Sequence, residues 1–309
     1  MSNISDINDR IRRSRLGSGV WSVDWTPYYY ITPLVLIYLA FLAFPVGYAL
    51  LISFQDFTTV TNNEWVGLEN YANILTDSRF YNALTNTALY AVGTVVLPIV
   101  IGLAMALVLN DERVKGNTLF RGMIFLPYVV PIVVVGVLFG WVFTEFGIVN
   151  ALLSQAGLIA GPVPWLSRSN YAMPTLIVLA TWRGVGFNMV IFLAGLQSIP
   201  DEIYEAARIQ GKSRWKMFRS LTLPLLKPSL TIAIILGALA ALRGFAEIWV
   251  MTQGGPSGAT STLGVYFYRE AFIQNNFGKG AAIGFIMFVI ALVLSVLIVW
   301  YSEDKSNGD

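Results

Sequence analysis

The sequence contains no cysteine and no histidine. Without cysteine the chain forms no disulfide bond and offers no thiol nucleophile. Without histidine it has none of the side chains that most often serve as acid–base catalysts and metal ligands. Charge is also scarce, because 12% of the residues are charged, against about 25% in soluble domains. We therefore expect no catalytic residue, no metal site and no water-soluble surface.

Hydrophobic residues make up 56% of the chain, and they are concentrated in long runs. Four segments of at least 23 residues contain no charged side chain: 25–55, 80–110, 122–144 and 280–302. A helix needs about 20 apolar residues to cross the hydrocarbon core of a bilayer. Each of these segments is therefore long enough to span a membrane.

Two further apolar segments contain isolated charges. Met173–Gln197 holds Arg183, and Ser229–Met251 holds Arg243 and Glu247. All these runs are continuously apolar rather than alternating, which favours helices over barrel strands. The sequence predicts an all-α polytopic membrane protein with helices at 31–54, 84–109, 122–143, 173–197, 229–251 and 280–302. A net charge of only +2 argues against nucleic-acid binding.

Basic residues predict the orientation, because cytoplasmic segments carry the excess of lysine and arginine. The tails at 1–30 and 303–309 and the loops at 110–121 and 198–228 together hold 14 of the 20 basic residues, whereas the opposite loops hold 4. The N-terminal tail contributes Arg10, Arg12, Arg13 and Arg15. Both tails are therefore expected in the cytoplasm, flanking a membrane domain at 31–302.

The cytoplasmic loop at 198–228 has a distinct pattern. Pro200 precedes two acidic residues, as at the start of a helix, and Gly211 is placed to end that helix. A second, basic amphipathic helix follows. The residues alone leave two interpretations open, namely an interfacial helix that anchors the loop and a docking surface for a protein.

Gly211–Ser213 resembles the end of a phosphate-binding loop, but Ala206 stands where its first glycine would be, so we expect no bound nucleotide or other cofactor.

The charges within the membrane segments have two possible roles. Arg183, Arg243 and Glu247 each cost about 2.5–3.5 kcal/mol at the bilayer centre, so they should face one another or a cavity. One interpretation is structural: an ion pair within the membrane, or Arg183 bonding to loop carbonyls or to Glu247. Arg243 and Glu247 lie four residues apart on the predicted helix, but arginine before glutamate is the less favourable order for a pair within one helix. The other is a polar lining of a translocation path, to which Asn188 and the aromatic residues could contribute by hydrogen bonds and sugar stacking. The candidates for this path are Trp182, Arg183, Asn188, Arg243, Phe245, Glu247 and Trp249.

Several motifs together carry a family resemblance. Glu205-Ala206-Ala207, then Gly211, then Leu223-Pro224 resembles the EAA loop of permease subunits in binding-protein-dependent ABC importers. The flanking segments 193–200 and 250–256 resemble the carbohydrate-uptake branch, which includes maltose-type and glycerol-3-phosphate-type permeases. The similarity extends from about Pro33 to the end of the chain and is greatest to the first of the two permease subunits.

The resemblance implies an importer-type permease fold in a bacterial or archaeal cytoplasmic membrane. Glu205, Ala206, Ala207 and Gly211 would then form a coupling helix that docks on a cytosolic ATPase. The implied partners are a second homologous permease, two ATPase copies that use ATP and Mg, an extracytoplasmic sugar-binding protein or lipoprotein, the sugar and the lipid. Disaccharides, oligosaccharides and glycerol phosphates remain open as cargo. The chain itself would not be an enzyme.

An ATP-independent secondary transporter or channel is the main alternative. Such proteins more often contain inverted repeats or an acidic or histidine proton relay. We find no clear internal repeat, and the chain has no histidine. A membrane enzyme has less support, because no paired carboxylates lie at one depth.

Overall fold

The computed structural model describes residues 25–59, 62–111 and 113–304. Most of the predicted N-terminal tail, including its four arginines, and residues 305–309 of the C-terminal tail lie outside the described residues. What is described is mostly helical, as the sequence predicts, with a single hairpin of two strands within these ranges.

The first helices and strands are α1 (Thr26–Tyr38), a π-helical turn (Leu39–Ala43), α2 (Phe44–Ile52), β1 (Gln55–Thr59), β2 (Asn62–Trp65), α3 (Glu69–Thr76), α4 (Ser78–Leu109), α5 (Asn117–Val129), α6 (Ile132–Val142) and α7 (Ile148–Gln155). They are followed by α8 (Ser169–Gln197), α9 (Asp201–Ile209), α10 (Arg214–Met217), a π-helical turn (Phe218–Thr222), α11 (Leu223–Leu225), α12 (Lys227–Leu242), α13 (Ala246–Thr252), α14 (Leu263–Tyr268), a π-helical turn (Arg269–Ile273) and α15 (Phe277–Asp304).

Among the described residues, those up to Leu51 form one compact unit, and those from Ile52 onward form a second. In the first unit the helix begins at Thr26, earlier than the predicted boundary at residue 31. Pro27 lies in the first turn, where its missing N–H costs no hydrogen bond. At the other end of the chain, α15 continues to Asp304 and so includes the first residues of the predicted 303–309 tail.

The membrane-spanning segments are confirmed as a class, but the predicted span at 122–143 is bent, and a second bend of 63° lies just before the predicted span at 229–251. Within the described ranges, four helices are long and apolar enough to cross a membrane, and the number rises to six if each bent helix pair forms one span. The pair α5 and α6 bends by 93°. Its break lies at Val130 and Pro131, where proline has no N–H to donate to the helical hydrogen-bond ladder. Pro98, in contrast, lies inside the uninterrupted helix α4.

The predicted continuous helix at 229–251 is wrong. Helix α12 ends at Leu242, and α13 resumes at Ala246. Gly244 lies in the break, and a Cβ atom added there would be 2.7 Å from Cε1 of Tyr90. Arg243 and Glu247 consequently do not share one helix face, which rules out the predicted four-residue spacing as a basis for their pairing.

The core of the second unit is built around α8, which packs along α4 and α5. Helix α12 packs on α4 and α15, and α13 packs on α6. The buried residues form three clusters. The cluster nearest the 198–228 loop joins α4, α8, the segment before α12 and α12 itself through Ile99, Ala106, Leu109, Met189, Phe192, Leu193, Leu196, Leu226 and Ala233. The helices therefore meet closely where the cytoplasmic loop leaves α8.

A substitution at Gly186 provides a test of this close packing. A Cβ atom at this position would collide with the backbone of α5 at Ile124 and Phe125. We expect Gly186→Ala to destabilise the protein by about 1–3 kcal/mol through overpacking, measured as a lowered thermal midpoint in detergent. Gly122→Ala on α5 is the matched control, because no heavy atom lies within 4 Å of the added Cβ. Equal midpoints for the two variants would contradict the observed packing.

Candidate functional site

Helix α9 lies where the sequence predicts a helix in the 198–228 loop, and its role in coupling stays a prediction. Asp201 and Glu202 lie in its first turn and Arg208 in its last, so the charges at both ends complement the helix dipole. Gly211 has a φ angle of 71° and ends the helix. The N–H of Gly211 donates to the Arg208 carbonyl at 2.9 Å, and that of Lys212 donates to the Ala207 carbonyl at 3.1 Å. This is a Schellman motif, which explains why glycine is favoured at position 211.

The four predicted coupling residues differ in exposure. Glu205, Ala206 and Gly211 are exposed, whereas Ala207 is buried with 3% of its surface accessible. Ile209 is 88% exposed, and it follows Glu205 by four residues and Ala206 by three, so these side chains share one helix face. This face combines an acid, a small residue and an unpartnered apolar side chain. Sequence reasoning did not single out Ile209.

The loop is firmly connected to the membrane helices. Helix α9 begins at Asp201, immediately after the three residues that follow α8. On the other side of the loop, Leu226 is 1% exposed and belongs to the same buried cluster as Leu193 and Leu196 of α8. The hydroxyl groups of Tyr204 and Thr222 lie 3.2 Å apart, within hydrogen-bonding distance. A force on α9 is therefore applied to α8 and to the start of α12 together.

A cavity of about 250 Å³ lies among α4, α5, α8, α12 and α13. We call it the central cavity. It brings together three of the predicted path residues, namely Arg183, Asn188 and Glu247. The other lining residues are uncharged: Tyr90, Thr94, Tyr128, Ile132, Ala180, Gly184, Phe187, Ala233, Leu236, Gly237, Ala240 and Ala241.

Tyr90 and Arg183 define the polar contacts of the central cavity. The Tyr90 hydroxyl donates to Oε1 of Glu247 at 2.6 Å. Arg183 donates from Nη2 to the Tyr128 carbonyl at 3.2 Å, and its guanidinium carbon lies 4.8 Å from the centre of the Tyr128 ring. This geometry combines a hydrogen bond with a cation–π contact. The Tyr128 ring in turn stacks on Phe187 with a centroid distance of 4.7 Å.

The remaining path candidates lie elsewhere. Trp182 is 44% exposed and packs against Phe139, with ring centroids 4.9 Å apart. Phe245 and Trp249 pack against each other and around Tyr268, with centroid distances of 4.8 and 4.6 Å to that ring. Arg243 is exposed and forms no ion pair with any described residue. These four residues do not line the central cavity.

A second polar cluster lies at the opposite end of the unit from the coupling loop. Glu270 is 1% exposed, and its two carboxylate oxygens lie 3.3 Å from Nη1 of Arg79 and 3.2 Å from Nζ of Lys279. Asp77 is 2.8 Å from Arg79 and 3.4 Å from Lys279. Tyr266 completes the cluster by donating its hydroxyl to Asp77 at 2.9 Å. We call these five residues the outer charge cluster.

The outer charge cluster changes the acidity of its members. Burial alone raises the pKa of the Asp77 carboxyl, but hydrogen bonds from the side chain and backbone of Arg79 and from Tyr266 outweigh this effect and hold that pKa well below its usual range. Asp77 also caps the start of α4, because it accepts a hydrogen bond from the Arg79 N–H at 2.9 Å. The cluster thus joins the start of α4 to the segment between α14 and α15.

The comparison with protein families decides the identity of the chain. Residues 98–305 match the family described as "Binding-protein-dependent transport system inner membrane component". The chain belongs to this family. It is therefore a permease, a multi-pass membrane subunit of an ABC transporter rather than an enzyme, as its motifs predict.

Curated relatives support the assignment along nearly the whole chain. The permease is 34% identical over 292 residues to the arabinooligosaccharides transport system permease of Bacillus subtilis, covering 93% of this chain and 92% of the relative. It is 36% identical over 284 residues to the trehalose/maltose transport system permease of Thermococcus litoralis, covering 91% of this chain and 94% of the relative.

Solved structures agree with the fold. One is a bacterial ABC transporter involved in the import of the acidic polysaccharide alginate, with a TM-score of 0.79 at 25% identity, covering 91% of this chain and 96% of that one. A second is a bacterial alginate ABC transporter in complex with an alginate pentasaccharide-bound periplasmic protein, with a TM-score of 0.77 at 24% identity, covering 89% and 93%.

The sequence predicts the helix in the 198–228 loop and three residues that line the cavity, and their roles in coupling and transport stay predictions. It gives no indication of Tyr90 and Tyr128, which form hydrogen bonds with the two cavity charges. It also missed the outer charge cluster. Glu270 lies nearly 200 residues from Asp77, so only the fold brings them together. In the sequence, the one sign that Glu270 and Asp77 are important is that each is a charged residue close to an apolar helix.

The lowered pKa of Asp77 predicts a pH effect on permease stability. A carboxyl whose folded-state pKa is depressed contributes its full stability above its unfolded pKa, 3.8, and loses it as the pH falls below that value. We expect Asp77→Asn to lower the thermal midpoint in detergent at pH 7, with the difference from the native permease shrinking at pH 3. Asp56→Asn, at an exposed position on β1, should lower it little at either pH. A difference for Asp77→Asn that is the same at both pH values would contradict the cluster's role.

Proposed function

We propose that this chain is the transmembrane subunit of an ATP-driven sugar importer and forms the translocation path with a second, homologous permease. The relatives named above are permeases for arabinooligosaccharides and for trehalose and maltose. The observation that carries the proposal is α9, a capped helix whose exposed acid, alanine and isoleucine form one face at the tip of the cytoplasmic loop.

The partner at this face is a cytosolic ATPase, which binds the ATP and Mg. Glu205 supplies a charge for a hydrogen bond across the interface, and Ala206 permits close approach of the two backbones. The buried Ala207 supports the helix from within. The 14 to 4 distribution of basic residues favours this orientation, with the loop and both termini in the cytoplasm.

Closure of the ATPase dimer moves α9 as a lever. Because α9 is attached to α8 and, through the buried Leu226, to the start of α12, its displacement moves two of the helices that line the central cavity. The inward-open and outward-open states then differ in which side of the cavity is closed, as alternating access requires. The energy comes from the different contacts that the loop makes with the open and closed ATPase.

The central cavity is this chain's part of the sugar path. Its volume of about 250 Å³ is below the range of roughly 300–1,000 Å³ typical of complete ligand pockets, which agrees with a site shared with the second permease. Arg183, Asn188 and Glu247 provide hydrogen-bonding groups, and the stacked Tyr128 and Phe187 provide an apolar wall for the C–H faces of a sugar ring. An extracytoplasmic binding protein delivers the cargo.

Substitutions in the coupling loop test the proposal. Glu205→Ala and Gly211→Asp should each abolish ATP-dependent sugar transport and cargo-stimulated ATP hydrolysis, with normal insertion in the membrane. The first removes the interfacial charge. The second places a side chain and a negative charge at a tip where this chain leaves open space. Both activities are measured in proteoliposomes containing the two permeases, the ATPase and the binding protein.

The matched controls lie in the segment between α6 and α8, on the other side of the membrane in this orientation. Gly157 has a φ angle of 68° and, like Gly211, no heavy atom within 4 Å of an added Cβ. Gly157→Asp and Glu145→Ala, at an exposed acid, should therefore transport normally. Normal transport by either loop variant would refute the docking assignment. Sugar transport by the purified chain alone, without ATP, would instead establish a secondary transporter or channel.

A further inference from the structure

The central cavity contains polar atoms that lack a partner. Among the described side chains, Nε of Arg183 and Oδ1 of Asn188 are buried without a hydrogen-bond partner, and both residues line the cavity. One of these atoms is a donor and the other an acceptor. Buried polar groups are normally satisfied, so each unpaired atom calls for an explanation. A hydroxyl group explains both atoms, because it can accept one hydrogen bond and donate another.

The central cavity is also balanced in charge. Arg183 and Glu247 are its only charged lining residues within the described part of the chain. Neither forms an ion pair with a described residue, because Glu247 accepts from the neutral hydroxyl of Tyr90 and Arg183 donates to a backbone carbonyl. The two opposite charges therefore remain available to a bound molecule, while their sum is zero.

We propose that this balance makes the central cavity selective for an uncharged, hydroxyl-rich sugar, with Glu247 excluding sugars that carry a carboxylate or phosphate. The inference rests on the proposed function and adds the charge of the cargo. Sugar hydroxyls accept from Arg183 and donate to Glu247, and hydrogen bonds to charged groups are the strong ones. A neutral sugar thus uses both charges.

An anionic sugar gains less from the two charges than a neutral sugar does. Arg183 attracts its carboxylate while Glu247 repels it, so the two effects oppose each other. The cost of removing the anion from water is then left without compensation. For a cationic sugar the roles are reversed, because Glu247 attracts it and Arg183 repels it. Tyr90 supports this exclusion because its hydrogen bond holds the Glu247 carboxylate at the cavity wall.

The proposal separates this permease from a structural neighbour. The fold is shared with an importer of the acidic polysaccharide alginate. Fold similarity alone does not decide the charge of the cargo, because the side chains that line the path set it. The proposal also removes glycerol phosphates from the cargo classes that the sequence leaves open.

Exchanging one charge at a time provides the test. The complex of both permeases and the ATPase is reconstituted in lipid nanodiscs without the binding protein, and its binding of three trisaccharides is measured by calorimetry. The probes are maltotriose, which is neutral, trigalacturonate, which is anionic, and the fully deacetylated glucosamine trimer, which is cationic. We expect the native complex to prefer maltotriose over both charged sugars by at least about tenfold.

The variants should shift this preference in opposite directions. Glu247→Gln leaves Arg183 uncompensated, so binding of trigalacturonate should rise at least about tenfold relative to the native complex. Arg183→Gln leaves Glu247 uncompensated, so binding of the glucosamine trimer should rise by a similar factor. Because each variant predicts a gain for a different probe, a folding failure of one leaves the other as a test. Glu145→Gln, at an exposed position outside the cavity, should bind all three sugars as the native complex does.

Two results would overturn the proposal: equal binding of maltotriose and trigalacturonate by the native complex, or no gain for the charged probe in a correctly assembled variant. These failures differ from that of the proposed function. If the chain does not assemble with a second permease and the ATPase, or the complex does not hydrolyse ATP, the importer assignment fails. If the complex assembles, hydrolyses ATP and binds acidic sugar without discrimination, only the charge selectivity fails.

Discussion

The contact between Tyr90 and the break before α13 determines the arrangement of the central cavity. The Tyr90 ring occupies the space beside Gly244 that a side chain would need, and its hydroxyl holds the Glu247 carboxylate at 2.6 Å. The break exposes backbone groups, and the hydroxyl of Thr262 satisfies one of them by donating to the Gly244 carbonyl at 2.8 Å. A side chain at position 244 would leave no room for this ring.

The same helices link this contact to the cytoplasmic loop. Helix α8 carries Arg183 and Asn188 in the cavity and leads directly to α9, while α12 ends at the break. Buried side chains of α8 and α12 pack together at the cytoplasmic end, so a displacement of α9 cannot be absorbed there by loose packing. The break absorbs it more easily, because its residues lack a continuous ladder of helical hydrogen bonds. In the proposed cycle, motion of the loop is therefore expressed as movement of the cavity walls around Glu247.

Composition predicts the membrane helices well because a span requires a length of uncharged sequence, which can be counted directly. Breaks within a span depend on contacts instead. Nothing adjacent to Gly244 in the sequence indicates that Tyr90, more than 150 residues earlier, lies beside it. The positions of the aromatic path candidates also depend on contacts that the sequence does not reveal. Phe245 and Trp249 have rings that could stack on a sugar, but in the structure they pack around Tyr268. The coupling loop was more accessible to prediction because its helix start, its glycine cap and its tip are all local features.

The fold accommodates the three charged residues of the membrane segments in different ways. Arg183 and Glu247 avoid lipid by facing the central cavity, where each has a hydrogen-bond partner. Arg243 ends α12 and is exposed. The negative end of the helix dipole stabilises its charge by about 0.3–1 kcal/mol. This is less than the roughly 2.5–3.5 kcal/mol that arginine costs at the bilayer centre. A chain acting alone in lipid would bear that difference, whereas an aqueous path shared with a second permease would surround Arg243 with water or protein. In the proposed two-permease arrangement, the second permease and the aqueous path keep Arg243 away from lipid.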